Sequence, residues 1–308
     1  PQRGVLSATD TILPIPGEWD GGAGLGALPS QCIFDSCSRM TQANSPFVFH
    51  QGTAPLLISM PHAGTALPAE IAGALTDAAQ QVPDTDWHMP ALYAGAQALG
   101  ASVLAATYSR YVVDLNRPPN GESLYPGQSV TGLCPVDSFA DMPLYADGRT
   151  AVDADEVQRR RTAYWQPYHT QLRAELERLL ALHGKVVLWD AHSIRSVLPR
   201  FFDGKLPDLN LGTADGTSCD AALAQQLLGI AEQATGHTAV LNGRFKGGYI
   251  TRHYGEPVRG IHAVQLEMTQ CSYLQAEAPP FAYSAERAAR IQPTLQQMLQ
   301  AALNFARA

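Results

Sequence analysis

Long apolar runs are missing from this 308-residue chain. No stretch approaches the roughly 20 consecutive apolar residues that a membrane-crossing helix requires. The N-terminus also lacks a basic segment leading into an apolar one, so no secretory signal is expected. Charge is scarce, at 16% of residues, and its balance is acidic, with a net charge of −7. That excludes the broad basic footprint of a general nucleic-acid binder. An anionic small molecule must then be captured by a few local arginines, because the overall field repels it. Cysteine is sparse and odd in number (Cys32, Cys37, Cys134, Cys219 and Cys271), with no C-x-x-C pair. These read as reduced thiols in a cytoplasmic protein. Signature motifs are missing too: there is no G-x-S-x-G, no P-loop and no G-x-G-x-x-G that follows a strand. "GGAGLG" at 21–26 precedes nothing strand-like.

What is present is an ordinary globular composition, 45% hydrophobic. Residues 1–44, rich in Gly, Pro and Ser, read as an irregular N-terminal arm, and 45–308 as the folded domain. The apolar run 55–60 predicts a buried strand. Residues 84–100 carry helical spacing and end in Gly100, a C′ residue. Two β-rich runs follow, 102–108 and 111–115, stopped by Pro118-Pro119, and 119–151 reads mostly as loop. The longest helical pattern covers 153–183, with Pro167 expected to kink or split it. "KVVLWDAHS", "HTAVLNG" and "IHAVQLEM" read as strands, 220–235 and 284–306 as helices, and "GRFKGGYITRHYG" as a loop. Alternating strands and helices predict an α/β domain with a mixed, mainly parallel central sheet flanked by helices. Ligand sites in such sheets lie at the carboxyl ends of the strands.

Three apolar strands carry polar groups at those ends: His62, then Asp190 and His192, then Glu267. Two imidazoles plus a carboxylate form the usual ligand set of a catalytic zinc, with one position left for water. Each histidine alone reads sooner as a satisfied, partly buried side chain than as a ligand; the pair at strand ends points to a metal. Asp190, two residues from His192 on an extended segment, is placed to orient it. "PDTDWHMP" offers Asp84, Asp86 and His88 as a third ligand, against the alternative that the aspartates cap a helix. Asp86 is the choice among them. Glu267 inside an apolar strand is costly unless paired or functional, and reads as a metal ligand, a general base or half of an ion pair. "YSRYVVDLNRPP" supplies Arg110, Asp114, Asn116 and Arg117, an arginine fork with a neighbouring amide suited to a carboxylate. Arg252 and His253, in a glycine-flanked loop, read as a candidate anion contact, against the alternative that the loop is only a turn.

In order, "SMPHAG", "TDWHMPALY", "SRYVVDLNRPP", "LWDAHS", "LNLGT", "GGYITRHYG" and "HAVQLEM" resemble the N-formylglutamate amidohydrolase (deformylase) family, from about residue 45 to 300. The resemblance extends in fold to the zinc carboxypeptidases and aspartoacylase. It implies His62 and His192 as zinc ligands, Asn116 and Arg117 as a carboxylate clamp, and Glu267 as general base. Those relatives carry H-x-x-E, whereas His62 is followed by Ala63-Gly64-Thr65. Asp86 therefore stands as the acidic ligand. The implied reaction is hydrolysis of N-formyl-L-glutamate to formate and L-glutamate, the last step of a histidine degradation route. Arg110 would assist the oxyanion, and Arg252 would join the clamp on a dianionic substrate. Cobalt, nickel or manganese also suit such a ligand set. Two alternatives stay open: an amidohydrolase for another N-acyl amino acid, and a non-catalytic metal- or ligand-binding module. Neither a nucleic-acid nor a membrane partner is expected.

Overall fold

The computed structural model describes residues 45–122, 131–147 and 152–308. Its seven strands are β1 (Phe47–His50), β2 (Leu56–Met60), β3 (Ser102–Ala106), β4 (Val186–Ile194), β5 (Leu209–Gly212), β6 (Ala239–Leu241) and β7 (Ile261–Thr269). They form one sheet in the order β1-β3-β2-β4-β7-β5-β6. The pairs β3–β2, β2–β4, β4–β7 and β5–β6 are parallel, and β1–β3 and β7–β5 antiparallel. Every residue of β2, β4 and β7 is buried, because helices cover both faces of the sheet.

Alternation along these strands divides the core into two layers. Val187, Trp189 and Ala191 of β4, with Val264, Leu266 and Met268 of β7, pack under helices Ala221–Glu232 and Ala285–Arg307. Val186, Leu188, Ile261 and Ala263 point the other way, against helices Gln166–His183 and Tyr249–Tyr254. His192 and Glu267 share the parity of this second set, so both project toward the second layer, near the carboxyl ends of their strands. They are cross-strand neighbours, His192 opposite Glu267 in the β4–β7 register. Their strands run two residues further, to Ile194 and Thr269, so neither residue is terminal. Among the described residues, no helix is long and apolar enough to cross a membrane.

Several expectations need correction. The run 111–115 is not a strand. It is a buried loop whose Tyr111 and Val112 pack in one apolar cluster and whose Val113 and Leu115 pack in another. Burial on two sides produces the same apolar texture as a strand. Residues 84–100 form only a short helix, Met89–Leu92, and a 3₁₀ segment, Ala94–Leu99, closed by Gly100 with φ 76°. β1 and β5, four residues each, were not anticipated. The "GRFKGGYITRHYG" segment contains the helix Tyr249–Tyr254. Pro167 neither breaks nor splits its helix. A wide π-turn over Arg161–Trp165 joins Ala154–Arg160 to Gln166–His183, placing the proline at the start of the second part. The missing proline N–H then falls where the ladder is already interrupted. The expected arm 1–44 and the pair Cys32 and Cys37 lie outside the described residues.

Candidate functional site

His62 follows the end of β2, in a turn that leans on the loop after β3. A Cβ on Gly64 would collide with the carbonyl of Tyr108, so glycine there lets the two backbones pass. The imidazole Nε2 lies 2.7 Å from Asp114 Oδ1. Donation to that carboxylate fixes the tautomer and turns the Nδ1 lone pair inward. Asp114 thus orients a histidine, with Arg117 and Arg110 only 3.9 and 4.0 Å from its other oxygen. Burial and the charge of Arg110 lower the His62 pKa to about 4, against the opposing pull of Asp114. His62 is therefore a neutral imidazole.

His192 faces it across the sheet edge. Its Nε2 is 3.1 Å from Asp190 Oδ1, the orienting contact expected from the D-x-H spacing. Its Nδ1 lies 3.1 Å from Asp86 Oδ2 and 3.2 Å from His62 Nδ1. Burial opposes charging His192, but Asp190 and Asp86 outweigh it and raise the pKa well above the ordinary value. Burial opposes ionising Asp86, but its hydrogen bond with His192 and the charges of His62, Arg110 and His192 hold it below its ordinary value. Asp86 caps no helix: its Oδ2 accepts from the Ser193 amide at 3.1 Å, and the following helix has no side-chain cap. The other two candidates point elsewhere. Asp84 accepts from the Tyr111 hydroxyl, the Phe139 amide and Arg195, and His88 contacts the Phe281 carbonyl.

His62, Asp86 and His192 are all buried, each offering one ligand atom within 4.8 Å of the others. The three separations are 3.2, 3.1 and 3.7 Å. A tetrahedral zinc with bonds of roughly 2.0–2.1 Å sets its ligands about 3.3 Å apart. The donor set and its spacing thus fit a divalent ion, and each imidazole already has a carboxylate on its far nitrogen.

Glu267 lines the same cavity, with Arg110, Asn116, Arg117, Phe139, Phe201, Arg244, Phe245 and Gln265 around it. Burial, then the charges of Asp86 and Asp190, push its pKa up to about 8 against His192 and Arg110. Gln265, on the same strand face, donates to Glu267 Oε2 at 3.2 Å and accepts from the Gly248 amide at 2.7 Å. Arg110 contacts His62 Nδ1 and lies over the Phe139 ring, 4.7 Å from its centroid. Asn116 Oδ1 accepts from the Ile250 amide, and its Nδ2 lies 3.0 Å from His192 Nε2. A Cβ on Gly248 would collide with the Asn116 side chain, so this glycine makes room for the amide. Arg117 is tied to Thr131 through Nε (2.9 Å) and Nη2 (3.1 Å).

Arg252 lies elsewhere. It lines a separate surface depression with Pro118, Pro119, Tyr249 and His253, because the unanticipated helix carries it away from the cavity. Gln265, Arg244 and the three phenylalanines were missed by sequence reasoning. One signal was available: Gln265 is two residues from Glu267 on one strand. Arg244 carried none, because β6, which it follows, runs opposite to β7.

A family model described as N-formylglutamate amidohydrolase matches residues 54–274. A curated protein of Pseudomonas putida named N-formylglutamate deformylase is 54% identical over 255 residues, covering 83% of this chain and 94% of the relative. One of the same name from Pseudomonas aeruginosa is 51% identical, covering 84% and 96%. A crystal structure of N-formylglutamate amidohydrolase from Ralstonia eutropha superposes with a TM-score of 0.70 at 27% identity, over 85% of this chain and 98% of that one.

Proposed function

The chain belongs to the N-formylglutamate amidohydrolase family, and from that premise we propose that it hydrolyses N-formyl-L-glutamate to formate and L-glutamate. We further propose a divalent metal, zinc by preference, held by His62, Asp86 and His192. The observation that carries this reading is the near-tetrahedral spacing of three buried ligand atoms in one cavity with Glu267. When bound, zinc supplies Lewis-acid polarisation of the formyl carbonyl and lowers the pKa of water toward about 7.

The chain's own residues do the rest. Glu267 accepts a proton from the attacking water, with Gln265 holding Oε2 and fixing the carboxylate plane. Arg110 directs its guanidinium at the oxyanion that develops on the formyl oxygen. Glu267 then returns the proton to the amide nitrogen as the C–N bond breaks, so the amine leaves as L-glutamate and the former water oxygen leaves in formate. Asn116 and Arg117 hold the α-carboxylate, presenting a donor fork braced by Thr131. In this reading the enzyme completes a histidine degradation route.

The test is formate release from N-formyl-L-glutamate before and after chelation. Activity should vanish on metal removal and return with one equivalent of zinc. Full activity in chelated protein, or none in zinc-loaded protein across a panel of N-formyl and N-acetyl amino acids, defeats the reading.

A further inference from the structure

We propose that Arg244 is the residue that selects the side-chain carboxylate of the substrate. The assignment rests on the proposed reaction and adds the determinant of its specificity. N-formyl-L-glutamate is a dianion, and the net charge of −7 gives the protein no long-range attraction for it. Two cationic anchors must therefore lie inside the cavity. Arg110 is spent near the metal ligands, in contact with His62. Arg117 adjoins Asn116, and Arg252 lies outside. Arg244 is the remaining arginine among the described residues that line this cavity.

Its mounting is rigid. Asn242 receives the Thr213 amide on Oδ1 and donates from Nδ2 to the Thr213 hydroxyl, both at 2.8 Å. The Ala214 amide donates to the Lys246 carbonyl at 2.6 Å, and the Gly248 amide is held by Gln265. Arg244 Nε itself donates to the Phe201 carbonyl at 2.6 Å, which fixes the guanidinium plane. Phe139, Phe201 and Phe245 line the wall around it. An arginine held this way loses little further freedom on binding a carboxylate, and an apolar surround strengthens the ion pair. The loop that begins at Arg244 ends at Gly248, against Asn116. Four residue steps span at most about 14 Å, so one short loop sets the distance between the two carboxylate anchors.

The experiment compares N-formyl-L-glutamate with N-formyl-L-glutamine, an isostere whose side chain is a neutral amide, on wild type, Arg244→Gln and Arg244→Lys. Wild type should favour the acid. Arg244→Gln should reduce the ratio of the two kcat/KM values about 100-fold, with the change carried by KM for the acid. Arg244→Lys, which keeps the charge, should keep part of the preference. An unchanged ratio, or equal losses on both substrates, overturns the assignment. If Arg244→Gln is inactive on both, Arg244→Lys decides: a retained preference supports the assignment and a lost one overturns it. A wild type that hydrolyses neither substrate defeats the reaction itself, an outcome separate from any change in the ratio.

Discussion

Glu267 is buried in a parallel strand two residues beyond a glutamine that grips one of its oxygens. Replacing it with Gln should lower kcat by about 10³-fold while metal stays bound. Its titration supplies a second readout in metal-free protein. The folded chain keeps a proton on Glu267 up to about pH 8, whereas the unfolded chain releases it near the ordinary value of 4.5. Between those values the folded state binds more protons, so stability falls as pH rises and levels off above 8. Gln does not titrate. The stability of Glu267→Gln relative to wild type should therefore climb from pH 4.5 to 8, by at most about 1.4 kcal/mol per pH unit. Denaturant titrations at four pH values check this; a flat difference contradicts it. Residue types at strand ends were legible because an imidazole or carboxylate in an apolar run is conspicuous. The pairing of Asp114 with His62 was not, since 52 residues separate them and Asp114 stands beside two arginines.

At the scale of elements, the loop bearing Asn116 and Arg117 is suspended from one helix. Trp165 Nε1 donates to the Arg117 carbonyl at 3.1 Å, and His169, one turn on, lies 2.8 Å from the Leu115 carbonyl through Nε2. The two rings stack with centroids 3.7 Å apart. Burial lowers the His169 pKa to about 3, so the ring is neutral and Nδ1 can accept from the Tyr254 hydroxyl at 2.9 Å. The carbonyls on both sides of Asn116 are thus fixed by one aromatic pair, set by the π-turn that ends at Trp165. Trp165→Phe keeps an apolar ring and removes the donor. KM for N-formyl-L-glutamate should rise about fivefold to tenfold with a smaller change in kcat, measured by initial rates. An unchanged KM contradicts the positioning role. The π-turn had no sequence signal beyond Pro167. The helix Tyr249–Tyr254 was hidden by flanking glycines, and for that reason Arg252 was expected in the cavity and Arg244 was overlooked.

Across the whole molecule, parallel strands β2, β4 and β7 bring His62, His192 and Glu267 to one edge, and parity sends the last two to one side. This much was legible, because strands covered on both faces are nearly continuous apolar runs and betray their polar exceptions. The short outer strands were not: β1 alternates and β5 has only four residues, and tertiary pairing decides both. The His62, Asp86 and His192 group joins segments from three places in the chain, so it offers the sharpest single measurement. Crystals of protein loaded with one equivalent of zinc, measured at the zinc absorption edge, should give one anomalous peak per chain, between His62 Nδ1, His192 Nδ1 and Asp86 Oδ2. A peak at Asp84 or His88 instead, or no peak between the two histidines in protein that turns over N-formyl-L-glutamate, would contradict the proposed site.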